Sequence, residues 1–111
     1  MKNIRIGYGY DMHKLSVGSY IILGGIKIDS NYSIIAHSDG DILLHTLSDA
    51  IYGSLAKGDI GTHFPSNNKN QNISSLKIIQ HACNLLKESN YQINNTDITV
   101  LLENPFLQPF I

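Results

Sequence analysis

The segment HSDGDILLH, residues 37–45, places ionisable side chains at the start of an apolar run. His45 is four residues from both Asp41 and Asp49, so a helix would carry the three side chains on one stripe. Such a stripe suits a metal ligand, because a metal-bound histidine usually donates its other ring N–H to a carboxylate or carbonyl. Alternatively, His45 is a hydrogen-bonded boundary histidine and Asp41 a simple N-cap. Spacing alone favours this second interpretation.

A second candidate is the segment DMH, residues 11–13. In an extended chain residues i and i+2 point to the same side, so Asp11 and His13 can approach one ion. If they meet His45, two imidazoles and one carboxylate form a set with an open fourth position, which is the pattern of catalytic zinc. An open zinc acts as a Lewis acid on a phosphoryl or carbonyl oxygen.

The HSDG loop precedes the predicted helix and also fits an anion. His37, the Ser38 hydroxyl and backbone N–H groups near a helix N-terminus can bind phosphate. The alternative is a tight turn, which Ser, Asp and Gly form routinely. The turn alone is the simpler interpretation of these residue types.

The segment GDIG, residues 58–61, has the same two interpretations. It can end a helix and turn the chain with Asp59 in solvent, or Asp59 can accept hydrogen bonds from substrate hydroxyls. His63 and His81 have no partner at a useful spacing, and we predict ordinary surface or core histidines.

Apolar periodicity predicts the elements that must position these groups. Residues 3–9 alternate with period two and predict a strand whose glycines admit a close neighbour. Residues 19–29 predict a second strand, interrupted at Gly24-Gly25, that pairs with the first as a hairpin. Residues 97–102 predict a third, mostly buried strand.

The helical period appears twice. Helix one starts at Asp41, carries Leu44, Leu47, Ile51 and Leu55, and stops at Gly58. A long unpatterned loop follows over residues 58–74. Helix two starts at Ser74 or Ser75 and is predicted to bury Leu76, Ile79, Cys83 and Leu86 on one face. The lone cysteine is therefore expected in the core.

Length and composition limit the class of protein. The 111 residues predict one domain, residues 1–111, with 42% hydrophobic and 15% charged residues and a net charge of -1. No basic block suggests nucleic acid, and no apolar run approaches the roughly 20 residues that span a membrane. The N-terminus enters a strand-like pattern at once, which argues against a signal peptide. The ending NPFLQPFI looks like the first turn of an amphipathic helix, so we expect a domain whose C-terminal part is missing.

Taken together, these segments resemble one enzyme family over the whole chain. RIGYGYDMHKL, LGGIKI, HSDGDILLHTLSDAIYGSLAKGDIGTHFP, SSLKII and NNTDITVLLENPFLQPFI resemble the 2-C-methyl-D-erythritol 2,4-cyclodiphosphate synthases. The resemblance implies an α+β two-layer sandwich, a mixed β-sheet with helices packed on one face. It implies a CMP-releasing phosphorus–oxygen lyase of the non-mevalonate isoprenoid pathway, which supplies terpenoid precursors. The 2-phosphate of 4-diphosphocytidyl-2-C-methyl-D-erythritol 2-phosphate attacks the β-phosphate, and 2-C-methyl-D-erythritol 2,4-cyclodiphosphate forms.

The resemblance also implies roles for individual residues. Zinc would be held by Asp11, His13 and His45, a second divalent ion, Mg or Mn, would bridge the diphosphate, and His37 would stabilise the transition state. The substrate-binding set is Asp11, Met12, His13, His37, Ser38, Asp59, Ile60, Gly61, Phe64, Pro65, Ser66, Asn67 and Asn68. The nucleotide-binding set is Leu102, Glu103, Asn104, Pro105, Phe106, Leu107 and Gln108.

A homotrimer with active sites between subunits is implied, in the cytoplasm of a bacterium or endosymbiont or in a plastid-type organelle. The sequence departs from the family at Ser66 and Asn68, where acidic residues are usual, and at Phe106, where lysine is common. It also stops before the T-T-x-E segment of the family. We therefore expect the 111-residue chain to be inactive alone. A zinc-binding remnant without turnover and a zinc-dependent phosphohydrolase remain as alternatives.

Overall fold

The computed structural model describes residues 4–102, apart from the side chain of Asn68. The element order is β1 (Leu15–Val17), β2 (Tyr20–Leu23), β3 (Ile26–Asp29), β4 (Tyr32–Ile34), α1 (Ile42–Ser54), α2 (Ile60–His63), a 3-10 turn (Asn68–Asn70) and α3 (Ser75–Glu88). The α+β class is confirmed. In this described part, no helix is long and apolar enough to cross a membrane.

The strands form two nested antiparallel ladders. β2 pairs with β3 through a tight turn at Gly24 and Gly25, and β1 pairs with β4 outside them. Both turn glycines have positive φ, 60° and 79°, as a two-residue type I′ hairpin requires. The predicted break at Gly24-Gly25 is therefore the turn between two strands. Within residues 4–102 the ladders are antiparallel and separate rather than one mixed sheet.

The predicted strand at residues 3–9 and its pairing with residues 19–29 are wrong for the described residues. Residues 4–14 contain no strand, because the Gly-Gly turn folds the second segment onto itself and satisfies its backbone locally. The glycines do admit a close neighbour, and it is helix α1. A Cβ at Gly7 would lie 1.8 Å from the Ala50 carbonyl oxygen, and one at Gly9 would lie 2.1 Å from that of Thr46.

Helix α1 begins after Asp41, as predicted. The buried Asp41 carboxylate accepts the Leu44 N–H at 3.1 Å and also the N–H groups of Gly24 and Gly25 at 3.0 and 2.8 Å. One side chain thus caps the helix and holds the β2–β3 turn against it. The helix ends at Ser54, short of Gly58, because Ala56 already adopts a positive φ of 54°.

Helix α3 has the predicted N-cap, Ser74, and Ile79 and Leu86 pack against the core as predicted, but the centre of the inward face is shifted. Its buried residues are Ser75, Ile78 and Ala82, whereas Leu76 is 57% exposed and Cys83 is also exposed. The prediction of a core cysteine is therefore wrong. Both faces satisfy the helical period, and the contact with α1 selects the one through Ile78 and Ala82.

Two small cores result. Ile51 and Tyr52 of α1 and the C-cap residue Leu55 pack against Ala82 of α3. A second core lies on the strands and comprises Ile21, Leu23 and Ile28, with Val100 and Leu102 packed against it. The predicted strand at residues 97–102 is not formed, and in that stretch only Val100 and Leu102 are even half-buried.

Candidate metal and phosphate site

Three predicted ligands lie close together where the N-terminal segment, residues 4–14, packs against helix α1. Asp11 Oδ1 is 3.1 Å from His13 Nδ1, and Asp11 Oδ2 is 3.6 Å from His45 Nδ1. The two imidazole rings are 6.3 Å apart between centroids. His45 is buried, and the other two side chains are about one fifth exposed, at 21% and 23%. Residues 4–14, which form no strand, thus place Asp11 and His13 beside His45.

The geometry is compatible with a cation but does not form a closed metal centre. Among residues 4–102, no three His, Cys, Asp or Glu side chains meet the geometry of a preformed metal site. His13 Nδ1 is nevertheless buried and has no hydrogen-bond partner in that part of the chain, because its contact with Asp11 lacks hydrogen-bond geometry. A cation would satisfy the unpartnered nitrogen.

The partner of His45 on its other side is a hydroxyl. His45 Nε2 lies 3.0 Å from Ser38 Oγ, which also accepts the Gly40 N–H at 3.2 Å. The predicted carboxylate stripe on α1 does not brace His45. Asp41 caps the helix instead, and Asp49 Oδ1 accepts the Ile60 N–H at 2.8 Å.

Hydrogen bonds connect the HSDG loop to residues 67–75, which lead into α3. His37 Nε2 lies 2.9 Å from the Asn67 carbonyl oxygen. The Asp39 carboxylate accepts the Ser75 N–H at 2.9 Å and a second, short hydrogen bond from the Ser75 hydroxyl. Asp39 therefore occupies the N-terminus of α3 and orients the loop. Gly40, with a φ of 77°, makes the turn that sequence analysis predicted.

Helix α2 is a single turn within the predicted loop at residues 58–74. Asp59 caps it by accepting the Thr62 N–H and the Thr62 hydroxyl, both at 2.9 Å, and these hydrogen bonds lower the pKa of Asp59. Asp49 holds the same turn through Ile60. Burial raises the pKa of Asp49, and the nearby carboxylates of Asp59 and Asp11 add to the effect.

A cavity of about 170 Å³ lies beside His13, His45 and the HSDG loop. Its wall consists of His13, Ala36, His37, Ser38, His45, Ile60, Phe64, Ser66, Asn70, Ile73 and Ile78. No sequence motif marks four of these residues, Ala36, Asn70, Ile73 and Ile78, and they were not predicted. A larger cavity of about 330 Å³ lies between the N-terminal segment and the chain after α3, and it contains none of the predicted site residues that the structure describes.

Several predicted substrate residues lie outside the cavity wall. Met12 is 78% exposed, and Asp59, Gly61, Pro65 and Asn67 are also exposed. Leu102 packs on the strand core. The remaining predicted nucleotide residues, 103–108, and the Asn68 side chain lie outside what the structure describes.

Known proteins are similar to this chain in sequence and in fold. A relative from Clostridium kluyveri named 2-C-methyl-D-erythritol 2,4-cyclodiphosphate synthase is 49% identical over 109 residues, which cover 97% of this chain and 66% of the relative. A solved structure of the Plasmodium vivax synthase has a TM-score of 0.73 and 34% identity, covering 95% of this chain and 65% of that one. The structure titled IspF from Plasmodium falciparum in a CDP complex has a TM-score of 0.67 and 42% identity, covering 82% and 55%.

The chain thus spans just under two thirds of the length of the Clostridium relative. The sequence model of the YgbB family matches residues 4–111, which is nearly all of this chain. The aligned region contains the described candidate ligands and the cavity wall. The chain belongs to the YgbB family.

Proposed function

We propose that the protein acts as a 2-C-methyl-D-erythritol 2,4-cyclodiphosphate synthase. The observation that carries this proposal is the proximity of Asp11, His13 and His45 beside a cavity that His37 and Ser38 also line. An imidazole–carboxylate set next to hydroxyl and N–H donors suits a phosphorylated substrate. The named relatives support the choice of cyclisation among phosphoryl reactions.

In this proposal Asp11, His13 and His45 would hold zinc, which supplies Lewis-acid polarisation of a phosphoryl oxygen. A second divalent ion, Mg or Mn, would neutralise charge on the substrate diphosphate. An oxygen of the 2-phosphate forms a bond to the β-phosphorus, the bond from that phosphorus to the bridging oxygen breaks, and the bridging oxygen leaves with CMP. Positioning and charge neutralisation suffice for such a transfer.

The chain's own side chains then have distinct tasks. His37 Nε2–H, which faces the Asn67 carbonyl, would donate instead to a phosphate oxygen in the transition state. Ser38 contacts His45 Nε2 and would orient its ring so that Nδ1 can bind the ion. Asp59–Gly61 would bind the erythritol hydroxyls, with one Asp59 oxygen already engaged by Thr62. The segment at residues 64–68 would close over the substrate.

We also propose a homotrimer in which residues 102–108 contribute to the cytidine pocket of a neighbouring subunit. Ile4, Ile6 and Tyr8 support an association surface, since they are 90%, 88% and 83% exposed on alternate positions of one segment. The cytoplasm is the compartment we propose for this reaction.

The test is incubation of the protein with 4-diphosphocytidyl-2-C-methyl-D-erythritol 2-phosphate, Zn²⁺ and Mg²⁺, followed by phosphorus NMR. Equal amounts of CMP and cyclic diphosphate are expected. A linear phosphate product would indicate a phosphohydrolase, and bound zinc without turnover would indicate the non-catalytic remnant.

A further inference from the structure

A second group of histidines lies behind the cavity wall and takes no part in the proposed chemistry. Four side chains form what we call the Tyr52–His81 cluster. They are Tyr52 of α1, His63 at the end of α2, the next residue Phe64, and His81 of α3. The Tyr52 hydroxyl lies 2.7 Å from His81 Nδ1, and the Tyr52 ring stacks on His63 at 4.5 Å between centroids. Phe64 meets His81 edge-on at 5.3 Å. The cluster therefore joins three helices.

The tyrosine side of this hydrogen bond is fully buried. Tyr52 has no exposed surface, and burial raises its pKa to about 12. Its hydroxyl keeps its proton at neutral pH and can donate to His81 Nδ1 or, in the other ring tautomer, accept from it. His63 is held separately, since its Nε2 lies 2.7 Å from the Lys57 carbonyl oxygen.

Helix α2 needs such support because it has only one turn. A single turn of helix is unstable alone, as its nucleation fixes several residues for few hydrogen bonds. Asp49 and Asp59 hold its start, at Ile60 and Thr62. Its end is held by the cluster, and the next residue, Phe64, forms part of the cavity wall beside His37 and Ser38.

From this arrangement we infer that Tyr52 and His81 are positioning residues of the candidate site. Their hydrogen bond sets the packing surface for His63 and Phe64, and so fixes where the Phe64 ring stands in the cavity wall. Neither residue lines the cavity itself, so neither touches the substrate. The inference rests on the proposed function for the identity of the substrate, and on the packing alone for the position of Phe64.

The test compares Tyr52→Phe with wild type by hydrogen–deuterium exchange without substrate and by steady-state kinetics. Tyr52→Phe removes one hydroxyl and keeps the ring. The Phe64 N–H, bonded to the Ile60 carbonyl at 2.7 Å, should exchange about two- to tenfold faster, and KM should rise by a similar factor while kcat stays within about twofold. Tyr91→Phe is the matched control, because the Tyr91 hydroxyl accepts from Arg5 at 3.1 Å, away from α2, and it should change neither quantity.

A second pair of variants guards against a folding defect. His81→Ala should behave like Tyr52→Phe, and His81→Asn, whose amide oxygen can accept from Tyr52, should recover part of both effects. Unchanged Phe64 exchange in Tyr52→Phe overturns the inference, and so does faster exchange with an unchanged KM. If wild type does not cyclise the substrate, the proposed function fails, and the exchange measurement still decides the positioning role.

Discussion

The two histidine clusters of this chain differ in how fully their ring nitrogens are satisfied. In the group formed by Asp11, His13 and His45, a carboxylate approaches both rings and His13 Nδ1 has no hydrogen-bond partner among residues 4–102. In the Tyr52–His81 cluster, His63 and His81 each have a neutral oxygen partner and aromatic neighbours. The first group can still bind a cation through His13 Nδ1, whereas the histidines of the second group contribute to packing. The polar partners of a histidine, rather than its residue type, therefore distinguish a candidate metal ligand from a structural histidine.

The largest effect should come from removing a proposed metal ligand of the first group. His45→Ala should lose bound zinc and lower cyclisation by more than about 100-fold, since even the residues that orient a ligand cost about 10- to 100-fold when removed. Elemental analysis and CMP release measure the two effects. His81→Asn serves as the control and should retain zinc. Equal zinc in His45→Ala and wild type would abolish the distinction between the clusters.

The next largest effect should come from Asp41, which caps α1, the helix that carries His45. Asp41→Ala leaves three backbone N–H groups without their acceptor, those of Gly24, Gly25 and Leu44. We expect a loss of about 2–4 kcal/mol in the free energy of unfolding, from the helix cap and the unsatisfied turn. Urea denaturation measures it, with the exposed Asp97→Ala as control. A loss no larger than that of the control would show that Asp41 does not hold the turn.

A smaller effect is expected at Ser38, the hydroxyl that orients His45. Ser38→Ala should weaken zinc binding by about 10-fold without unfolding the chain, because the His45 ring loses its Nε2 partner. Competition with a chromogenic chelator gives the zinc affinity. Ser38→Thr keeps a hydroxyl and should bind zinc more tightly than Ser38→Ala. Identical affinities in all three proteins would remove Ser38 from the site.

The smallest effect concerns pH and the second cluster. The pKa of Tyr52 is raised to about 12, so the folded state holds this proton more tightly than the unfolded chain, in which tyrosine titrates near 10. The stability that depends on the protonated hydroxyl is present below about pH 10 and is lost as pH rises toward 12. Urea midpoints measured from pH 9 to 11.5 should therefore fall more steeply for wild type than for Tyr52→Phe. Parallel curves would contradict a buried, proton-retaining Tyr52.

Local features of the sequence predicted the parts of the fold that depend on neighbours along the chain. Asp41 and Ser74 cap the helices where expected, because a cap needs only the next three residues. The Gly24-Gly25 turn was located for the same reason, although it separates two strands. The predicted ligands Asp11, His13 and His45 followed from spacing together with family resemblance, and the structure brings them together.

Only the tertiary structure decided which of several permitted partners each side chain meets. The i, i+4 stripe allowed Asp41 and Asp49 to brace His45, yet Asp49 accepts from Ile60 and Ser38 takes the His45 nitrogen. The helical period allowed Cys83 to be buried, but contact with α1 turned Ala82 inward. Helical spacing fixes which residues share a face, and the free energy of packing against distant segments decides what that face contacts. The Tyr52–His81 hydrogen bond, 29 residues apart in sequence, could be known only from the folded chain.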